Sequence, residues 1–387
     1  MKTDLPIPAR RPFVFLIVSF FLVFTNISFL YLYPLALESM GGAYHVIGLV
    51  MGVFSVAAVV SRPLFGRLVS LKGESRVMSL GLAVGLAATL AYHAITAIGP
   101  AMLVVRVVHG IGFSAFISGS FSLAARAYPR EKSGETFGIV GAAIMASMAL
   151  APPFGEFLVR RWGFHVLYSG AAAALVLAWI ASGAASGPLG NAPGPASGKP
   201  AAGYRKILRD RPFFFLLLST LILSHCQAAV PNFLAVIAAE KGTLSGPFFF
   251  LSSATAVTVL LVMGRFVDRR GKVFYLRISY PVFCLGLFLV PQVLPSAFFA
   301  VPAVLFGAGG GLLFLTHNTL AADHGSGEEK PAVMSLFTGL YDAGFITGAV
   351  ISGWFAHETS LDMLFWACGA LGLGGFLLSL FSPLRRA

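Results

Sequence analysis

Twelve long apolar runs determine what this 387-residue chain can fold into. A helix needs about 20 consecutive apolar residues to cross the hydrocarbon core of a bilayer, and every run is at least that long. Backbone groups in lipid must form hydrogen bonds within their own segment, so we expect each run to be a transmembrane α-helix. The runs lack the alternation of apolar and polar residues that β-barrel strands show. They cover residues 13–37, 44–69, 77–98, 101–125, 134–158, 163–184, 212–239, 245–267, 273–294, 296–320, 331–356 and 361–382.

The composition agrees with a membrane protein. Hydrophobic residues make up 57% of the chain and charged residues 11%, whereas soluble domains carry roughly 25% charged residues. The net charge of +12 does not indicate a nucleic-acid partner, because the basic residues are unevenly distributed. If both termini are cytoplasmic, 23 of the 27 Lys and Arg residues fall on the cytoplasmic side, as the positive-inside rule requires. We therefore predict a multi-pass membrane protein with both termini in the cytoplasm and lipid as its surroundings.

A short charged segment occurs twice, after the second and the eighth run. The second copy, residues 264–272, reads GRFVDRRGK, and the first copy, residues 66–74, reads GRLVSLKGE. We interpret both as loops between neighbouring spans. A repeat at this distance indicates that one half of the chain duplicates the other. The positions singled out are Gly66, Arg67 and Gly73 in the first copy, and Gly264, Arg265, Asp268, Arg269 and Gly271 in the second.

The middle of the chain has the composition of a linker. Residues 185–205 are rich in Gly, Pro, Ala and Ser, which is typical of flexible connections. Six apolar runs precede this stretch and six follow it. The sequence therefore predicts an N-terminal six-helix bundle at 1–184, a cytoplasmic linker at 185–210 and a C-terminal six-helix bundle at 211–387.

Three ionisable residues inside the runs are candidates for function. A guanidinium such as that of Arg106 costs about 2.5–3.5 kcal/mol in the middle of a span, so it should face a partner or a wet cavity. The alternative is that Arg106 extends to the outer surface. His109 shares a helix face with Arg106, although it could equally be a packing histidine. Asp342 lies close to mid-depth and is the best candidate for a proton carrier, with a structural carboxylate as the alternative.

Further polar residues lie in the first, seventh and tenth runs: Asn26, His225, Gln227, Asn232, His317 and Asn318. Glu156 follows two prolines near the end of the fifth run, where we expect it to meet solvent. The three cysteines lie within apolar runs at spacings that indicate neither a metal site nor a disulfide. No cofactor is expected. Hydrolase and zinc-protease motifs and paired carboxylates within a span are missing, so the sequence does not favour an intramembrane enzyme.

This pattern of six spans, a central linker, six spans and a repeated glycine–arginine segment resembles the major facilitator superfamily (MFS). The segment Gly264–Lys272 fits the family signature, whereas the first copy has Ser70 where the family usually has aspartate. By the pseudo-symmetry of the family, Asp268 should meet the start of the fifth span, near Ser133 and Gly134. Arg106 resembles the arginine of the proton-coupled exporters. Ala151-Pro152 resembles their glycine–proline motif loosely, and bacterial permeases of the arabinose-efflux type look most similar.

The resemblance implies an all-α membrane protein of two pseudo-symmetric six-helix bundles that works by alternating access. It further implies a protein of the bacterial cytoplasmic (inner) membrane, usually a monomer. Four spans would face the substrate cavity: 13–37, 101–125, 212–239 and 296–320. The cavity would be lined by the polar residues of these spans, namely Asn26, Arg106, His109, His225, Gln227, Asn232, His317 and Asn318. We expect proton-coupled efflux of an amphipathic or anionic small molecule, with Asp342 and Arg106 in proton coupling. The alternatives are a proton-coupled importer and, less favoured, a non-transporting sensor, for which the loops and tails leave no room.

Overall fold

The computed structural model describes residues 7–127, 133–189, 204–324 and 329–381. Within these ranges it contains helices and no strand, and twelve helices are long and apolar enough to cross a membrane. This confirms the twelve predicted spans. The helices are α1 (Ile7–Phe29), α2 (Tyr44–Lys72), α3 (Glu74–Ala91), α4 (Pro100–Ala127), α5 (Ser133–Trp162), α6 (Phe164–Leu189), α7 (Arg211–Glu240), α8 (Gly246–Arg270), α9 (Lys272–Val293), α10 (Ala300–Asp323), α11 (Lys330–Glu358) and α12 (Leu361–Phe381).

The first span is interrupted near its end. After α1 the chain forms a 3-10 turn at Leu30–Leu32 and then a short helix at Tyr33–Ser39. Pro34 explains the interruption, because its ring has no N–H to donate and clashes with the carbonyl four residues earlier. That carbonyl belongs to Leu30, the first residue of the 3-10 turn.

The two repeated segments are helical, and the prediction that they form loops is wrong. Helix α2 continues to Lys72 and α8 to Arg270, and in each case one glycine separates the helix from the next. Gly73 has φ 84° and Gly271 has φ 92°, a backbone conformation that glycine adopts without a Cβ clash. The charged residues before each glycine remain helical, and each helix ends at the glycine with positive φ. The two turns lie 198 positions apart, as the repeat predicts.

The chain divides into two compact units. The first comprises Met1–Ala36 and Val53–Gly198, and the second comprises Leu37–Gly52 and Lys199–Ala387. The beginning of α2 therefore belongs to the second unit, where the backbone of Gly48 lies against Gly353 of α11. The predicted bundle boundaries at 184 and 211 remain a prediction.

Three consecutive glycines let α10 approach three neighbours in the second unit. A Cβ on Gly309 would lie 2.5 Å from the backbone nitrogen of Phe283 on α9. A Cβ on Gly310 would lie 3.2 Å from the amide nitrogen of Gln227 on α7, and one on Gly311 would lie 3.0 Å from Cα of Ala256 on α8. Successive helical residues point about 100° apart, so each glycine serves a different helix. Small residues at such positions let helices pack closely in lipid.

Candidate functional site

A chain of hydrogen bonds crosses the interior of the first unit. The Nε2–H of His109 on α4 donates to Oδ1 of Asn26 on α1 at 2.9 Å. Nδ1 of His109 lies 3.2 Å from the Tyr92 hydroxyl, to which Arg106 donates at 3.4 Å. Because Oδ1 of Asn26 can only accept, Nε2 of His109 must carry the proton, and Nδ1 of the neutral ring then accepts from Tyr92.

Asn26 joins three neighbouring helices through this network. Its Nδ2 donates to Oγ1 of Thr89 on α3 and to the carbonyl of Ala171 on α6, both at 3.1 Å. Thr89 in turn donates to the carbonyl of Gly85. Asn26 is 0% exposed, and the small cavity next to it and His109 measures about 10 Å³. That volume is close to the minimum for one water molecule, so it has no room for a larger ligand. The hydrogen bonds of Asn26 and His109 therefore connect helices of the first unit in this arrangement.

Replacing Asn26 with leucine should therefore lower the stability of the protein. The substitution leaves the Ala171 carbonyl and the His109 ring without their partner, and interhelical bonds of this kind contribute about 1–2 kcal/mol each. Asn232→Leu is the matched control, because the Nδ2 of Asn232 donates within α7, to the Ala228 carbonyl. Thermal unfolding in one detergent compares the two variants. Equal melting temperatures would contradict a structural role for Asn26.

Arg106 is buried among aromatic rings. It is 4% exposed, and its guanidinium carbon lies 4.7 Å from the centre of the Phe54 ring and 5.9 Å from that of Tyr33. Such contacts stabilise a cation through the ring quadrupole, more strongly where water is excluded. The alternative that Arg106 extends to the outer surface is therefore wrong. The first unit keeps a permanent positive charge in its interior, next to the hydroxyl of Tyr92.

Glu156 is also buried, contrary to the expectation that it meets solvent. It is 8% exposed and lies in α5 after the two prolines. The helix continues to Trp162, so the carboxylate is further from the helix end than the sequence suggests. A buried carboxylate needs a compensating interaction, and Glu156 has at least one interaction partner.

His317 belongs to a separate network in the second unit. Its Nδ1–H donates to the carbonyl of Leu313 at 2.8 Å, and its Nε2 accepts from Ser219 on α7 at 2.9 Å. The Tyr280 hydroxyl on α9 donates to the carbonyl of Ser219 at 3.0 Å. His317 is 1% exposed. This network connects α7, α9 and α10 and leaves His317 with its ring nitrogens engaged.

Gln227 and Tyr341 form a more open polar site in the second unit. The Tyr341 hydroxyl on α11 donates to Oε1 of Gln227 at 2.7 Å, and Nε2 of Gln227 donates to the carbonyl of Gly310 at 3.4 Å. Asn318 lies further along α10, and its Nδ2 donates to the carbonyl of Phe314 at 2.8 Å. The side chains of Gln227, Tyr341, Phe314 and Asn318 are all partly buried. They form a partly buried polar and aromatic face of this unit.

Two more predicted residues lie on the helices that form this face. His225 is partly buried, and its Nδ1 lies 3.1 Å from Oγ1 of Thr347 on α11. Asp342 follows Tyr341 directly and is also partly buried. Asp342 has a bonded or electrostatic partner of its own, so its carboxylate is held in a polar setting within the span.

Five of the predicted residues thus fall into three groups. Asn26, Arg106 and His109 meet in the first unit, Gln227 lies with Tyr341 in the second, and His317 belongs to its own network. The segment Gly264–Arg270 is helical, but the side chains of Arg265, Asp268 and Arg269, and the expected approach of Asp268 to Ser133, lie outside the described residues. The substrate, proton and gating roles of all these residues remain predictions.

Sequence reasoning missed the tyrosines that complete these networks. Tyr92, Tyr280 and Tyr341 contribute to apolar runs by composition, so they do not stand out from the phenylalanines. A useful signal exists, because a tyrosine hydroxyl deep within a span needs a hydrogen-bond partner. Pairing each mid-span tyrosine with a polar residue on another span would have pointed to these sites.

The twelve spans of the described chain, with their buried polar networks, define a polytopic membrane protein. The sequence profile of the Major Facilitator Superfamily matches residues 15–324 and 243–387. The chain belongs to the Major Facilitator Superfamily. It is therefore a secondary transporter embedded in a membrane, with a small-molecule substrate, and not an enzyme.

Known proteins similar to this chain are transporters. An uncharacterized MFS-type transporter of Methanocaldococcus jannaschii, MJ1560, is 24% identical over 338 residues, covering 82% of this chain and 84% of that protein. The human MFS-type transporter SLC18B1 is 26% identical over 145 residues, which is 35% of this chain and 30% of the human protein. The crystal structure of the human organic anion transporter MFSD10 superposes with a TM-score of 0.68 at 18% identity, covering 97% of this chain and 100% of that chain.

Proposed function

We propose that this protein exports an amphipathic or anionic small molecule in exchange for protons, as a bacterial efflux permease of the arabinose-efflux type. Two six-helix bundles, 1–184 and 211–387, would alternate around a midplane site. The protein would act as a monomer in the bacterial cytoplasmic membrane, with both termini in the cytoplasm. The observation that carries the anionic part of this proposal is the buried guanidinium of Arg106, which is 4% exposed.

Arg106 suits an anionic substrate because its charge is permanent. A guanidinium does not deprotonate in proteins and offers donors in a planar fork that matches a carboxylate or a phosphate. In a low-dielectric site each charge-assisted hydrogen bond to a ligand contributes about 1.5–3 kcal/mol. The human protein MFSD10 is an organic anion transporter, which agrees with such a substrate, although its likeness to this chain concerns the fold.

Asp342 suits the proton-carrying role because it is a partly buried carboxylate within the transmembrane helix α11. A carboxylate in a span changes its protonation when its surroundings change from wet to dry. In the proposed cycle Asp342 takes a proton when its face of α11 meets water on one side. It releases the proton on the other side.

Two dyes of opposite charge, supplied to oriented proteoliposomes, test the proposal that the substrate is an anion. Fluorescein is an anionic xanthene dye and rhodamine 123 a cationic one, and both are measured after lysis at one fixed pH. We expect faster transport of fluorescein, and we expect Arg106→Gln to reduce it about tenfold or more, corresponding to the loss of one charge-assisted bond. Arg106→Lys, which keeps the charge, should retain part of the rate.

Arg161→Gln is the matched control, since it removes an equal charge at the end of α5, where Arg161 lies over the ring of Trp162. This variant should transport fluorescein at the wild-type rate. Equal losses in the two variants would contradict a substrate role for Arg106. Net movement of fluorescein into the compartment that corresponds to the cytoplasm would show that the protein is an importer and not an exporter.

A further inference from the structure

The partly open face of the second unit carries a combination of groups that indicates the class of substrate. The ring of Tyr341 lies 5.6 Å from that of Phe314 on α10, at an angle of 68°, and 5.5 Å from that of Phe345 on α11. All three rings are partly buried. We call Tyr341, Phe314 and Phe345 the aromatic cluster. Edge-to-face and tilted arrangements of this kind leave ring surface on which another flat ring can pack.

A fixed amide lies beside the aromatic cluster. Oε1 of Gln227 accepts from Tyr341, and Nε2 donates to the carbonyl of Gly310. These two bonds determine which end of the amide is nitrogen, because a carbonyl oxygen cannot donate. An amide nitrogen has two hydrogens, so one remains for a ligand. The amide of Gln227 can lie this close to α10 because residue 310 is glycine. A Cβ at Gly310 would be only 3.2 Å from the amide nitrogen.

A second polar group lies on the same side of α10. Gly310, Phe314 and Asn318 are spaced four residues apart, so they form one stripe along the helix. The Nδ2 of Asn318 donates to the Phe314 carbonyl, and its Oδ1 has no hydrogen-bond partner among the described residues. Eight helical residues span about 12 Å. The stripe therefore presents a donor near Gln227, rings in the middle and an acceptor at Asn318.

From this arrangement we infer that the second unit binds the substrate through a planar aromatic or heteroaromatic ring, placed on the aromatic cluster with a polar group at Gln227. Tyr341 is then a specificity-determining residue in two ways, through its ring and through the hydroxyl that orients the Gln227 amide. This inference names a substrate class for the proposed function and rests on it.

Matched probes separate ring recognition from hydrophobic binding. Benzamide and cyclohexanecarboxamide carry the same neutral amide on an aromatic or a saturated ring, and uracil and 5,6-dihydrouracil differ in planarity. The purified full-length protein is titrated with each compound, and the shift in melting temperature gives the apparent affinity. We expect the planar member of each pair to bind about threefold tighter or more, which is the scale of an aromatic pair contact. The saturated amide is the more hydrophobic, so a merely apolar face would reverse the order.

Variants of Tyr341 assign the preference to the aromatic cluster. Tyr341→Leu should abolish the preference for the planar member of each pair. Tyr341→Phe should keep it but weaken both members about equally, because Gln227 loses the donor that orients it. Phe298→Leu is the control, since Phe298 is 71% exposed and lies outside this face, before α10. It should bind all four probes as the wild type does.

The outcomes distinguish this inference from the proposed function. Equal responses to the two members of each pair, including no response to any probe, overturn ring recognition, as does a preference that survives in Tyr341→Leu. Fluorescein transport measured on the same preparations tests the proposed function separately. If fluorescein is transported but planar probes are not preferred, the proposed function stands and the inference about ring binding fails. If planar probes are preferred but fluorescein is not transported, the inference stands and the proposed function fails.

Discussion

Replacing Asp342 with asparagine is expected to abolish proton-driven transport while leaving substrate binding in place. Asparagine has nearly the shape of aspartate but cannot take up and release a proton at physiological pH. In vesicles with an imposed pH gradient, Asp342→Asn should therefore give no accumulation of fluorescein above the level without a gradient. Exchange of labelled for unlabelled dye, which needs no proton, should continue.

Two further variants make the result specific. Asp342→Glu keeps a carboxylate and should retain measurable proton-driven transport. Asp362→Asn removes a carboxylate from the first turn of α12, where Asp362 pairs with Lys241 at 2.9 Å and is 42% exposed. Exposed ion pairs contribute about 0–1 kcal/mol, so this control should behave as the wild type. Unchanged proton-driven accumulation in Asp342→Asn would assign Asp342 a structural role.

A methyl group added at Gly309 is expected to destabilise the second unit. The new Cβ would lie 2.5 Å from the nitrogen and 2.7 Å from the Cα of Phe283, closer than real Cβ atoms come to backbone. Backbone cannot rotate away as a side chain does, so α9 and α10 must separate. Overpacking of this kind costs about 1–3 kcal/mol. Thermal unfolding in detergent should show a lower melting temperature for Gly309→Ala.

Gly374→Ala is the matched control for Gly309→Ala. Gly374 lies in the middle of α12, and a Cβ built there has no heavy atom within 4 Å. Alanine restricts the unfolded chain and favours the helix by about 0.5–1 kcal/mol relative to glycine. The two substitutions should therefore shift the melting temperature in opposite directions. A shift of equal sign and size would show that Gly309 does not limit the spacing of α9 and α10.

The spans could be predicted from the sequence, whereas the turns between them could not. A run such as 212–239 is expected to be a helix in lipid, because a helix satisfies its own backbone groups and the run lacks the alternation of a barrel strand. The segment Gly264–Lys272 contains four basic residues and looks like a loop by composition. Its actual end is determined by one dihedral angle at Gly271. The composition of the segment does not determine the φ angle of Gly271, although a glycine can adopt a positive φ.

The candidate site was only partly predictable for a related reason. Arg106 and Asp342 stand out because a charge in a span is costly wherever it lies. Which partner each polar residue has depends on how the helices pack, and helix packing depends on small residues spread over the whole chain. The bond from Tyr341 to Gln227 joins positions 114 residues apart, and neither residue type signals the other.

All three cysteine thiols are buried inside the second unit, with exposures of 0% for Cys226, 1% for Cys284 and 2% for Cys368, and none forms a disulfide. The wild-type chain therefore offers maleimide reagents almost no background reaction in the folded state. A single cysteine introduced at Asn318, which is partly buried, can be tested for labelling from each side of sealed vesicles without first removing the native ones. The accessibility of that position from each side can then be measured in a protein whose three buried cysteines are all left in place.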